Sequence, residues 1–524
     1  MRGREITTGI GRCGGRGLIA VLVGTLGLGL AAADAPGASV VNIGPATPGE
    51  AVSADFQVTV EGRSVPVYTA RVSALPVNHI WPGFPSIRCE RPLEQTEIAS
   101  FASWDMSGPV RVEVASTRPV QSVAVRPTAR GIRPVVEGQR IRFTLASPGP
   151  VTVEVNGAAR ALHLFASPPE KAIPRPDAPA TRYFGPGVHR PGIMHLRSGE
   201  TLYLAAGAVV HGAVLVDDAE NVTICGRGIL DVSSLKRGQS PGAISLAGCR
   251  NVRVEGLIIR DTNRWAVVPS ACRDVTISGL KLIGFWRYNA DGINVCNSEN
   301  VVIEDCFIRA FDDCVTMKGM DRKHHRFTEL GRGLPLDELP TRRVTIARCV
   351  IWNDWGVALK FGSETSAPEI ADIRFVDCDI LRTAGAAISI HLSGPAAIHD
   401  VCFERLRVEL DRDPPWPYIQ KRLDEKYPYA GKPGYYPTLM DMNIDKSYWG
   451  FTDNERRGTI RDVLVKDVAV TGPAMPRSRL RGYSAEGDIR NVTIENLRFN
   501  GKPISTAEAG GFKIGDHVAG VTFR

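Results

Sequence analysis

Asn300-Val301-Val302-Ile303-Glu304-Asp305-Cys306 decides the fold, because the chain keeps returning to it. The phrase is Asn or Asp, then Val or Ile, any residue, Ile or Val, two more, then Leu or Cys. It starts at Asn221, Asn251, Asp274 and Asn300, and continues at Arg343, Asp372, Asp400, Asp462 and Asn491. Successive starts lie 30, 23, 26, 43, 29, 28, 62 and 29 residues apart. Alternating β-branched residues mark a strand with one buried face. A period of this length marks one turn of a parallel β-solenoid, and the two long steps hold insertions, placed at 319–341 and 411–461.

Six residues after each start, one column reads Leu257, Leu280, Cys306, Cys349, Cys378 and Leu406. Cysteine exchanging with leucine at one column is the mark of an inward-facing stack. Cys306, Cys349 and Cys378 are therefore read as buried thiols filling apolar space, with disulfides as the alternative. No CxxC or HxxxH spacing offers a metal site. Coils cover one another and need caps at the ends. The solenoid is expected to begin near Leu202 and to close at Val521-Thr522-Phe523.

Residues 36–165 carry a different pattern. Phe56–Val60, Val110–Val114, Ser122–Val125 and Val151–Val155 alternate cleanly between turn signals, as in an antiparallel β-sandwich. Pro168, Pro169, Pro174, Pro176 and Pro179 form a stiff linker, and residues 166–524 make the solenoid domain. The chain is thus all-β, with the sandwich expected to pack on the first coils. Residues 1–35 read as an export signal: Arg2, Arg4, Arg12 and Arg16, then apolar Leu18 to Ala33, then small residues to Ala35. A mature protein secreted or periplasmic, and off the membrane, follows. The formal charge of +7 over 524 residues includes no basic run, which argues against nucleic acid.

Asp291, in Asn289-Ala290-Asp291-Gly292, and Asp312-Asp313, after Phe311, lie 21 residues apart, about one turn. Equivalent residues of adjacent coils are about 4.8 Å apart, so the three carboxylates should be stacked neighbours. Crowded carboxylates resist ionising together, and one keeps its proton while another stays charged. Cleavage of a glycosidic bond requires such an acid and base. An offset of one or two positions gives separations of roughly 6–8 Å, near the inverting range of about 6.5–9.5 Å.

These motifs, with Lys318-Gly319 after them, resemble the Asn-Thr-Asp-Gly and Asp-Asp…Lys motifs of glycoside hydrolase family 28, the polygalacturonases. The resemblance covers most of residues 180–524. It implies a right-handed parallel β-helix and hydrolysis with inversion, Asp312 as general acid, and Asp291 with Asp313 activating water. It implies a polysaccharide or oligosaccharide substrate and no metal or other cofactor. Two family motifs are altered. Gly-His-Gly should fall near Asp354-Trp355-Gly356, where no histidine stands. Arg-Ile-Lys, which grips the galacturonate carboxylate, is met by Ile388-Ser389-Ile390-His391 on the next coil. Lys318 or Lys360 could supply a positive charge instead. The sandwich before the helix is also similar to the layout of family 49, the dextranases and isopullulanases, which act on neutral α-glucans.

Further candidates for holding substrate are Asn289, His391, and Trp286, Trp352 and Trp355, which lie near the aspartates in sequence. Trp416, Tyr418, Tyr427, Tyr429, Tyr435, Tyr436, Tyr448 and Trp449 crowd the second insertion, as sugar platforms or as its own small core. His324 and His325 sit in a charged loop and read as solvated. Outside hydrolysis, two readings compete: a non-catalytic carbohydrate-binding solenoid, and a Ca²⁺-dependent eliminase, for which no matching motif stands in the chain.

Overall fold

The computed structural model describes residues 39–79, 90–322, 333–422, 424–427, 432–447, 450 and 455–524. The expected signal at 1–35, His324, His325, Tyr429, Tyr448 and Trp449 lie outside the described residues. The repeated phrases make the first wall of a parallel β-helix, a 12-stranded sheet running from Thr181–Phe184 to Val518–Phe523. They stack in register: Val222, Val252, Val275, Val301, Val344, Ile373, Val401, Val463, Val492 and Val521 form one column.

The Asn or Asp that opens each phrase has a backbone reason. Asn221, Asn251, Asp274, Asn300, Asp372, Asp400, Asp462 and Asn491 all have φ between 52° and 59°. Among residues with a Cβ, Asn and Asp tolerate this left-handed region best. Their side chains then bond along the stack: the Asn300 amide donates to Asp274 Oδ1 at 2.8 Å, and that of Asn491 to Asp462 Oδ1 at 3.0 Å.

A second sheet of 21 strands wraps the remaining two sides. Its second wall includes Ile258–Arg260, Lys281–Ile283, Phe307–Ala310, Val350–Asn353 and Asp379–Arg382. Its third includes Ile293–Cys296, Val315–Gly319, Val357–Thr365, Ala386–Leu392 and Thr438–Ile444. The crossovers take the right-handed sense of parallel β connections. The column from Leu257 to Leu406 is fully buried in the shared core, and its cysteines are free thiols.

Two expectations need correction. The helix begins one coil before Leu202, because Thr181–Phe184 pairs in parallel with Thr201–Leu204. The expected insertion 411–461 contains Thr438–Ile444, a strand of the third wall paired with Ala386–Leu392. Within the otherwise antiparallel sandwich, Leu162–Ser167 runs parallel to Thr96–Met106. The sandwich also covers more than the first coils. Tyr68, Phe101 and Phe165 pack on the outer face of the second wall in a cluster running from Val209 through Ile258 and Phe307 to Leu381.

Candidate active site

Register alone brings the aspartates together. Ile293 pairs with Val315, so Asp291 and Asp313, each two residues earlier, occupy equivalent places on adjacent coils. The Gly292 amide donates to the Asp313 carbonyl at 2.9 Å, and that of Asp312 to the Ala290 carbonyl at 3.2 Å. The next coil passes close beneath at Gly356, where a Cβ would stand 2.8 Å from the Asp312 carbonyl carbon and the Asp313 nitrogen. No larger residue fits there. That closeness delivers the Val357 amide to Asp313 Oδ1 at 3.1 Å.

All three carboxylates are buried. Burial, then the neighbouring Asp313, pushes the Asp312 carboxyl up to about 7, against the pull of Lys360 and Lys318. Burial, then Asp312 and Asp313, holds Asp291 well above the usual carboxylate range. Asp291 Oδ1 has no hydrogen-bond partner among the described residues. Asp313 is ion-paired to Lys360 Nζ at 2.8 Å. Asn289 lies beside the trio, its amide donating to Asp312 Oδ2 at 3.3 Å.

The two lysines are engaged within the site. Lys318 Nζ donates to Glu364 Oε2 at 2.6 Å and lies 4.6 Å from the centre of the Trp265 ring. Burial works against its charge, but Glu364 and the aspartates hold it above the usual lysine range. Lys360 is likewise raised, burial being outweighed by Asp313 and Asp312. Lys360 shares an outward column with Asn294, Thr316 and Ser389. The Asn294 amide and the Thr316 hydroxyl are buried and have no hydrogen-bond partner among the described residues.

His391 lies further along the same wall, two coils past Val315–Gly319. Its Nδ1 is 2.9 Å from Ser363 Oγ and its Nε2 is 2.8 Å from Asp445 Oδ1. Trp355 stacks on Phe311 at 5.8 Å and donates to the Tyr418 carbonyl at 3.1 Å. Trp286 and Trp352 face the sandwich instead of sharing a cleft with it. The Trp286 carbonyl accepts from buried Arg91 at 2.9 Å, while its indole donates to Asp261 at 2.9 Å. Trp352 lies between Arg309 and Arg382, 4.2 and 4.4 Å from their guanidinium carbons. In the second insertion Trp416, Tyr418 and Tyr427 meet edge-on, a small core of their own. The Tyr435 hydroxyl is tied to the Ala384 carbonyl.

Glu364 and Arg237 were not singled out in the sequence. Arg237 donates to the Tyr288 carbonyl and to Asn289 Oδ1, turning the Asn289 amide toward Asp312. It comes from a loop without strand periodicity, so no pattern marked it. Glu364 follows Gly362-Ser363 in the strand that carries Lys360, and the register slips between Met317 and Gly319, which hides its pairing with Lys318.

Residues 228–389 match the family described as glycosyl hydrolases family 28. A probable polygalacturonase of Vitis vinifera is 30% identical over 179 residues, covering 32% of this chain and 34% of its own length. A probable polygalacturonase of Arabidopsis thaliana is 37% identical over 79 residues, 15% of this chain and 18% of its own. The chain thus spans about a third or less of the length of these relatives. Dex49A from Penicillium minioluteum superposes with a TM-score of 0.60 at 15% identity, over 92% of this chain and 96% of that one. That likeness extends the shared fold across sandwich and helix together.

Proposed function

We propose, from the family 28 match across the wall that carries the aspartates, that the chain is an exported glycoside hydrolase of polygalacturonase-like type, cleaving a polysaccharide or oligosaccharide with inversion. The observation that carries this reading is three buried carboxyl groups brought together by register, Asp291 stacked on Asp313 with Asp312 beside them, and Asp313 ion-paired to Lys360. Asp312 gives its proton to the leaving glycosidic oxygen as the bond to C1 breaks. Asp313, with Asp291 stacked one coil before it, takes a proton from water as the water oxygen bonds to C1 from the opposite face. Asn289, held by Arg237, orients the acid. Lys318, Lys360, Trp355 and His391 line the wall on which the sugar lies, beside Asn294 and Thr316.

A second reading, hydrolysis of a neutral α-glucan, draws support from the lysines. Both ammonium groups are engaged by Asp313 and Glu364, and Ser389 and His391 stand where the family's cationic grip would be. Reducing-end and anomer analysis on pectins and α-glucans separates the two. Asp312→Asn should lower kcat by roughly 10²–10⁴-fold with the fold intact. Wild-type kcat/KM should fall as pH rises through about 7, because Asp312 then loses the proton it donates. Near-normal turnover by Asp312→Asn would sink the assignment.

A further inference from the structure

Away from the aspartates, a cavity of about 340 Å³ opens between the sandwich and the outer face of the second wall. Ile43, Pro66, Ile173 and Ile258 give it apolar sides. Four charged residues also line it: Lys281, Arg227, Asp105 and Glu170. Three of them have partners that suit them. Arg227 is ion-paired to Asp105 at 2.7 Å, and Glu170 accepts from the Tyr203 hydroxyl at 3.1 Å.

Lys281 is the exception. It is 7% exposed, and its ammonium donates only to neutral oxygens, Ser167 Oγ at 2.8 Å and the Gly256 carbonyl at 3.0 Å. No carboxylate among the described residues is in ion-pair reach of it. A buried charge is normally matched by a counter-charge, because desolvation is costly when unopposed. Burial accordingly pulls this ammonium down to about 7, Arg227 adding to the effect and Asp105, Cys306 and Glu170 opposing it.

We propose that this cavity is a second ligand site, for a small organic monocarboxylate about the size of one sugar acid, whose carboxylate pairs with Lys281. The ligand supplies the negative charge that the chain leaves out. Its body lies between the apolar sides, in a volume typical of small-molecule pockets. Asp105 and Glu170 select for one negative charge, since a dianion such as sulfate would meet both carboxyl groups. The site stands apart from the glycosidase reading and does not depend on it.

Calorimetric titration of the folded full chain at pH 6 tests this, with D-galacturonate as probe and D-galactose and sulfate as controls. The expected result is saturable galacturonate binding that persists in Asp312→Asn, with neither control competing. Lys281→Met should weaken it by about tenfold or more, as loss of a charge-assisted hydrogen bond implies. Ile173→Trp fills the mouth from a position 62% exposed, so it should block binding without disturbing the buried residues. No binding by the wild type, binding unchanged in Ile173→Trp, or equal binding of galactose or sulfate would overturn the proposal. Should Lys281→Met fail to fold, the Ile173→Trp titration decides.

Discussion

The first and third walls are built from strands of the same period, yet they treat polar residues in opposite ways. Along the first wall each opening Asn or Asp turns the chain and several bond to their equivalents a coil away, as Asn300 does to Asp274 and Asn491 to Asp462. Stacking amide on acid satisfies both, so repetition there stabilises. In the turns that lead into the third wall, Asp291 stacks on Asp313 with Asp312 beside them, and like is laid on like out of water. Near them, the Asn294 amide and the Thr316 hydroxyl have no hydrogen-bond partner among the described residues. A solenoid can place any residue beside its equivalent, and the cost of that placement depends on what is repeated. Where the repeated groups are carboxylates, the stack is strained and chemically poised.

The sharpest way to break the contrast is to remove the cation that offsets the stack. Lys360→Met leaves Asp313 buried beside two carboxylates with no ammonium partner, and should cost about 3–5 kcal/mol of stability at pH 7. Denaturant unfolding measures it. Adding Asp313→Asn to Lys360→Met should restore much of the loss, and equal stability of single and double variants would show that the pair is not what Lys360 contributes.

A smaller effect of opposite sign is expected at Asp291. Its carboxyl is raised in the fold above the usual value of 3.8, by burial first and then by Asp312 and Asp313. Below that value both folded and unfolded chains hold the proton, and the site costs nothing. As pH rises, the unfolded chain ionises first while the fold keeps its proton, so stability falls with pH. Asp291→Asn should therefore raise stability at pH 7 and change it little at pH 3, a difference that denaturant unfolding at the two pH values measures. Such a variant would be more stable and less active, the mark of a residue kept for function. Loss of stability at pH 7 would mean that its carboxylate is well accommodated.

The same contrast explains what could be read before the structure. The first wall was legible because turn, strand and inward column recur in a fixed order, and the aspartates followed from that period. The strand Thr438–Ile444 was not, because third-wall strands lack the opening Asn-Val phrase and this one sits between two loops. Trp286 and Trp352 lie near the aspartates in sequence, which suggests the cleft, but nearness along the chain does not say which wall a side chain faces or what covers it. On the second wall the outside is the sandwich, so outward tryptophans are buried among arginines from both parts. Lys318 and Lys360 were visible as cations, but Glu364 belongs to another coil and its reach depends on a local slip in register.

The smallest effect tests the first wall on its own terms. Asn300 has φ of 55°, donates to Asp274, and accepts from Arg343 Nε at 2.5 Å. Asn300→Ala removes the bonds and forces a Cβ into the left-handed region without compensation, at about 1–2 kcal/mol. Asn300→Gly removes the same bonds but accepts the backbone freely, and should recover part of that loss. If conformation is the reason for Asn at this column, glycine lies between alanine and wild type in thermal unfolding. Should glycine prove no better than alanine, the side-chain ladder is what holds the column, and the first wall would rest on its hydrogen bonds more than on its turns.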